Sequence, residues 1–223
     1  MSGASAGAQR KRVAVFISGG GSNMLSLADA CAAEDFPAEV VAVVSDKATA
    51  GGIAKAVARG LKTLVLERKD FAGKAEHEAA ILAALDEIQP DIICLAGYMR
   101  LISGDFISRY EGRMLNIHPS LLPLFAGLHT HQRAIDAGMK IAGCSVHFVT
   151  EGMDEGPIVA QGVVPLLPED TADTLAARVL TVEHRLYPLA LKLLAEGKVR
   201  MENGKAVRAT ESPADVALSL ICA

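Results

Sequence analysis

The chain contains no tryptophan, and aromatic residues of any kind make up only 4% of its 223 positions. A core without large rings must be filled by Ala, Val, Leu and Ile, and an apolar content of 51% supplies them. Aliphatic runs of that kind suit a parallel sheet buried on both faces. An excess of basic residues is also missing. The net charge is -4 with acids and bases interspersed, so there is no electrostatic footprint for nucleic acid. A small anion is not excluded, because a helix end or one arginine can hold it on an acidic surface. No run is long enough to span a membrane. Cys31, Cys94, Cys144 and Cys222 are scattered and form no C-x-x-C pair. Buried thiols in a reducing cytoplasm are expected, without cysteine-bound zinc.

The start, Met1 to Gln9, is rich in Ser, Ala and Gly and lacks the apolar segment of a signal peptide. Residues 1–11 are expected as a disordered leader, 12–209 as one domain, and 210–223 as a tail with little fixed structure. Lys11 to Ile17 reads as a buried strand. Ser18-Gly19-Gly20-Gly21-Ser22-Asn23 follows at once, and then a helical pattern from Met24 to about Glu34. Strand, glycine turn and helix N-terminus together make an anion site, since free amides point outward and the helix dipole favours negative charge. No Lys follows the glycines, so this is neither a Walker loop nor a dinucleotide fingerprint. Ser22 and Asn23 read equally well as N-caps.

Further strands at 39–44, 63–66 and 91–95 alternate with helices at 51–59 and 74–88, which implies parallel pairing with right-handed crossovers. On the second of these helices Ala79, Leu82, Leu85 and Ile88 are expected inward and His77 outward. Glu67 to Asp70 reads as a solvated charged loop. Strands at 141–150 and 158–164 read as antiparallel partners around the tight turn Glu151 to Pro157. A long helix capped at Asp170 to Asp173 runs to about Ala195, with Glu183 near its middle and a kink expected at Pro188. A hairpin follows around Asn203-Gly204. The fold class is α/β: a doubly wound, mostly parallel, Rossmann-like sheet with antiparallel strands near the C-terminal part.

Chemistry concentrates in Arg113 to Pro123. Asn116 and His118 are two apart on a strand and share a face, and Pro119 keeps His118 extended. An amide donor beside an imidazole can stabilise an oxyanion and move a proton. The spacing alone fits a polar strand end equally well. However, the glycine loop, Gly97 to Arg100 and Asn116 to Ser120 all fall at carboxyl ends of strands, where such sheets bind ligands. That convergence favours catalysis. The 151–157 turn folds Asp154 back toward the same edge, and a carboxylate near His118 raises the imidazole pKa and holds the cation. Asp, Glu and Gly are also ordinary surface-turn residues. His129 and His131 lack a carboxylate partner and a common face, so no metal is expected. His147 reads as a packed polar residue.

The segments Ile17 to Asn23, Leu95 to Arg100, Asn116 to Pro123 and Met153 to Pro157, in that order, resemble the phosphoribosylglycinamide formyltransferase family over roughly Arg12 to Met201. Asn-Ile-His-Pro-Ser is shared among formyltransferases that use 10-formyltetrahydrofolate, and Ser-Gly-x-Gly-Ser-Asn singles out this branch. The resemblance implies formyl transfer from 10-formyltetrahydrofolate, as co-substrate, to the amine of glycinamide ribonucleotide in purine synthesis. It implies Asn116, His118 and Asp154 as catalytic groups. Gly21, Ser22 and Asn23 are implied at the phosphate, and Glu183 and Pro119 at the rest of that substrate. Lys74, Met99, Arg100, Leu101, Thr150 and Glu151, with Asn116 and Asp154, are implied at the folate. No metal and no nucleotide cofactor is implied, and the partners are small molecules, with no nucleic acid or membrane, for a cytoplasmic monomer or homodimer. The family often has Asn at Gly20, Arg at Lys74, and other residues at Leu124 and Ala126. The alternatives are a formyltetrahydrofolate deformylase, disfavoured because its substrate carries no phosphate, and a non-catalytic folate-binding protein on the same scaffold. A methionyl-tRNA formyltransferase would need basic surface and a further domain.

Overall fold

The computed structural model describes residues 9–209 and 221–222. Strands β1 (Lys11–Ile17), β2 (Ala38–Ser45), β3 (Thr63–Val65), β4 (Ile92–Leu95) and β5 (Met114–His118) run parallel in the order β3-β2-β1-β4-β5. Strands β6 (Ile141–Phe148) and β7 (Ile158–Pro165) continue the sheet antiparallel beyond β5. Strands β8 (Val199–Glu202) and β9 (Lys205–Arg208) form a separate hairpin. Its turn, Asn203-Gly204, has positive φ at both residues, as the twist of a two-residue hairpin demands. Finally β10 (Ile221–Cys222) pairs parallel with β7 and makes an eighth strand of the main sheet.

Alternation on the strands builds cores on both faces of the sheet. Val13, Val15 and Ile17 face helices α1 (Ser22–Cys31) and α6 (Ala172–Ala195), whereas Ala14 and Phe16 face α3 (Lys74–Ile88) and α4 (Gly104–Arg109). Helices α2 (Gly51–Ala58) and α5 (Thr130–Asp136) complete the set. The largest fully buried side chain is that of Tyr187 on α6. Its hydroxyl donates to the carbonyls of Leu95 and Leu115, both at 3.0 Å, and so ties the ends of β4 and β5 together. Burial pushes this phenol far above its ordinary pKa.

The doubly wound fold expected from the strand–helix alternation is the one observed. Several local expectations are not. His77 is buried rather than exposed, and its Nε2 lies 2.8 Å from the Leu66 carbonyl. The inward stripe of α3 is His77, Ile81, Leu85 and Ile88, with Ala79 exposed. A histidine that can hydrogen-bond at depth substitutes for an aliphatic residue at that helical spacing. Residues 68–70 form a short 3-10 turn, and Glu67 accepts from the Ala48 amide at 3.1 Å, so this charged stretch is anchored. Helix α4 escaped notice because it is a single short segment. Lys11 is the first residue of β1, and the Arg10 side chain donates to the carbonyls of Cys31 and Ala38. At the other end β10 falls inside the stretch expected to have little fixed structure. The remaining residues of the expected leader and tail, 1–8, 210–220 and 223, lie outside the described residues.

Candidate active site at the switch point of the sheet

The strand order reverses direction between β1 and β4, and in a doubly wound sheet the crevice outside that point receives the ligand. Here the two loops leaving β1 and β4 are bound to each other. The Ser18 amide donates to the Gly97 carbonyl at 3.1 Å, and the Met99 amide donates to Ser18 Oγ at 2.9 Å. Arg100 Nε donates to Asp46 Oδ2 at 2.6 Å, which ties the 97–100 loop to the end of β2 as well. The Asp46 side chain is fully buried, and its Oδ1 has no partner.

At the glycine loop the cap expected from Ser22 or Asn23 is absent. Gly21 occupies the N-cap position with φ 71, and no side chain caps the helix. Ser22 and Asn23 instead begin the first turn of α1, with their side chains free for other work. Asn23 Nδ2 donates to Glu183 Oε2 at 2.6 Å, while its buried Oδ1 has no partner among the described residues. Glu183 comes from the middle of α6, so the tertiary fold brings these residues together across the chain. Burial raises the Glu183 carboxyl pKa, and the bond from Asn23 offsets part of that rise. The result is a first helical turn without a side-chain cap, a buried amide oxygen and a carboxyl group brought together. A Cβ on Gly21 would stand 2.7 Å from the Cα of Gly52, so the loop tolerates only glycine there.

The second cluster forms where β5 ends. His118 Nδ1 lies 3.3 Å from Asp154 Oδ2, and its Nε2 lies 3.1 Å from the Phe125 carbonyl. Both ring nitrogens thus face oxygen acceptors. Asp154 sits in the left-handed region at φ 57 and accepts the Gly127 amide at 2.9 Å through Oδ2. The turn can lie this close because of Gly156, where a Cβ would fall 1.7 Å from the Phe148 carbonyl. Asn116 Nδ2 points toward Asp154 Oδ1 at 3.5 Å and donates to His147 Nε2 at 3.1 Å.

His147 therefore belongs to the cluster and is more than packing. Its Nδ1 must carry hydrogen to donate to the Phe148 carbonyl at 2.8 Å, which leaves Nε2 as the acceptor for Asn116. Burial depresses its pKa and so keeps the ring neutral. The signal available in sequence was register: Asn116 and His147 are directly opposed across β5 and β6.

A cavity of about 340 Å³ opens beside the switch point, lined among others by Lys74, His77, Tyr98, Met99, Arg100 and Leu101. Lys74 Nζ is 3.7 Å from Glu78 Oε1. Thr150 and Glu151 are not among the lining residues; the Glu151 carboxylate stands against Gly104 at the start of α4. Pro119 lines a separate, much smaller cavity with His131, whose Nε2 is buried without a partner. The expected site residues thus fall into a group at the glycine loop, a cluster at the end of β5 and a cavity, with Thr150, Glu151 and Pro119 outside that cavity.

The formyl transferase family model matches residues 11–191. The chain is similar to the phosphoribosylglycinamide formyltransferase of Haemophilus influenzae, 43% identical over 88% of this chain and 92% of that protein. It is also similar to the trifunctional purine biosynthetic protein adenosine-3 of Bos taurus, 45% identical over 91% of this chain, and spans 20% of that longer relative. Among solved structures, that of phosphoribosylglycinamide formyltransferase from Brucella melitensis is 68% identical, with a TM-score of 0.82 over 90% of this chain and 100% of that one. A formyltetrahydrofolate deformylase from Pseudomonas syringae, 24% identical with a TM-score of 0.84 over 91% of this chain and 67% of that one, shares the fold alone.

Proposed function

The chain belongs to the phosphoribosylglycinamide formyltransferase family of formyl transferases, and on that premise we propose that it transfers the formyl group of 10-formyltetrahydrofolate to the amine of glycinamide ribonucleotide. The observation that carries this reading is the meeting of Asn116, His118 and Asp154 at one end of β5, with distances of 3.3 Å and 3.5 Å from the acid to the ring and the amide. The amine attacks the formyl carbon, and a carbon–nitrogen bond forms as the carbonyl oxygen takes up negative charge. The Asn116 amide and the His118 ring donate to that oxyanion, which is where preorganised donors act most strongly. Asp154, through water, takes the proton from the attacking nitrogen and returns it to N10 of the folate. The bond from the formyl carbon to N10 then breaks, and tetrahydrofolate leaves. His147 holds the Asn116 amide with its donor toward the site.

The substrate phosphate sits on the amides of Gly21, Ser22 and Asn23, and Glu183 receives the ribose or glycinamide end. The unpartnered Asn23 Oδ1 supports the second placement, since a ribose hydroxyl or the amine can donate to a buried acceptor. The folate enters the cavity beside Met99, Arg100 and Leu101, with its anionic tail toward Lys74. A lysine gives a point charge there in place of an arginine fork. The reaction takes place in the cytoplasm, in a monomer or homodimer; the buried free thiols Cys31, Cys94 and Cys144 accord with a reducing compartment. No helix among the described residues is long and apolar enough to cross a membrane.

Mixing the protein with both substrates tests the proposal. A mass spectrum showing a formylated ribonucleotide is the expected result, and its absence in the presence of intact 10-formyltetrahydrofolate refutes it.

A further inference from the structure

Two arginines pair with an aspartate whose side chain is almost wholly shielded, and the pairs are built differently. Arg178 meets Asp170 end-on. Its Nη1 donates to Oδ2 at 2.6 Å and its Nη2 to Oδ1 at 2.8 Å. Both carboxylate oxygens and both ends of the fork are used. Arg100 meets Asp46 from the side. Its Nε donates to Oδ2 at 2.6 Å, and Asp46 Oδ1 has no partner among the described residues. The two terminal nitrogens of Arg100 make no hydrogen bond to the described residues. A bidentate contact is the stronger use of a guanidinium, so a pairing built only to fasten the chain has no reason to forgo it.

The unused fork belongs to a residue of the cavity wall. Arg100 lines the cavity, and its side chain stays 43% exposed while that of Asp46 behind it is at 0%. Tyr98, on the same wall, feels the same carboxylate: burial first, and then the charge of Asp46, raise its phenol pKa. An arginine that must be ordered at the moment of binding costs affinity. A carboxylate that already holds Nε removes that cost and leaves the planar fork for a second carboxylate.

We propose that Asp46 is a positioning residue for the folate: it holds Arg100 at Nε so that the terminal nitrogens of the guanidinium grip a carboxylate of the glutamate tail. The inference rests on the folate reading of the cavity. It adds to that reading a residue that touches no substrate and acts from the end of β2.

Titration calorimetry on the full chain compares tetrahydrofolate with the N-methylamide of tetrahydropteroic acid, which keeps the ring and the benzoyl group and lacks both tail carboxylates. The parent binds tetrahydrofolate the more tightly. Asp46→Ala weakens tetrahydrofolate by about fivefold or more and the amide by less than about twofold, as loss of pre-organisation at the tail does. Asp46→Asn keeps an acceptor for Nε and retains most of the affinity. The sign separates orientation from charge. Both changes remove a negative charge, which by itself tightens an anion, so weakening reports the lost grip. In an Arg100→Ala background, Asp46→Ala has no further effect on tetrahydrofolate. Thermal melting reports folding; if the Ala variant melts early, Asp46→Ser, whose hydroxyl is one atom short of Nε, takes its place under the same expectation. Equal weakening of both ligands, or tetrahydrofolate bound as tightly as by the parent, overturns the role of Asp46 while leaving the folate site standing. If the parent does not prefer tetrahydrofolate, the tail reading and the inference fall together, with formyl transfer to be judged on its own assay.

Discussion

Replacing Asp154 by Asn is the sharpest perturbation of the cluster, because it changes charge while keeping shape. Asn tolerates the left-handed backbone that Asp154 adopts at φ 57, so the turn need not move. The carboxylate now serves the His118 ring at 3.3 Å and the Gly127 amide at 2.9 Å through Oδ2, with Asn116 near Oδ1 at 3.5 Å. All of these neighbours are donors. A carboxamide can present only one acceptor oxygen, so its amino group must oppose one of them. Losing a charged hydrogen bond costs about 1.5–3 kcal/mol, and general acid–base assistance contributes about 10²–10⁴ in rate. We therefore expect kcat to fall by about 10²-fold or more, with KM for the ribonucleotide changed by less than about fivefold, because Gly21 to Asn23 are untouched. Stopped-time absorbance of the folate as it loses its formyl group gives both constants. A kcat within about threefold of the parent would falsify the assignment of Asp154 to proton transfer.

Other outcomes follow from the same geometry. His118→Ala should lower kcat by about 100-fold or more, through lost oxyanion and proton help, in the same absorbance assay; near-normal turnover contradicts the role. Asn23→Ala leaves Glu183 buried without its partner at 2.6 Å, so KM for the ribonucleotide should rise more than kcat falls, and an unchanged KM contradicts that placement of the substrate. Acidification should weaken the fold. The ordinary value is 6.5, and burial holds His147 below it in the folded chain. As pH drops through that value, the unfolded chain takes up the proton first. Stability present above it is then lost, by up to about 1.4 kcal/mol per pH unit for this ring, until the folded ring protonates too. His131 and His184 are displaced in the same direction by burial. Denaturant midpoints that stay constant between neutrality and about pH 5 contradict this linkage.

What the sequence made legible was what repeats along the chain. Strand–helix alternation announced the sheet, and three polar turns at strand ends announced its functional edge. Glu183 is different: on the long helix it is only a charged residue among apolar ones, and nothing local says that it meets Asn23. The α6 packing that brings them together is a tertiary fact. His147 is hidden for the same reason: it faces Asn116 only through antiparallel register. His77 misled because helical periodicity rewards apolar side chains, and a ring that bonds a carbonyl at depth breaks that pattern. The cap at α1 misleads because Ser and Asn are good caps in general, while here Gly21 takes the position and the Asn23 side chain bonds Glu183.

The central claim is that the cluster passes a formyl group to an amine and not to water. Release of tetrahydrofolate from 10-formyltetrahydrofolate, followed by absorbance with and without glycinamide ribonucleotide, tests it most directly. Release that depends on the ribonucleotide, one folate per formylated product, is the predicted result. Release at a comparable rate without it would show a hydrolase and contradict the account.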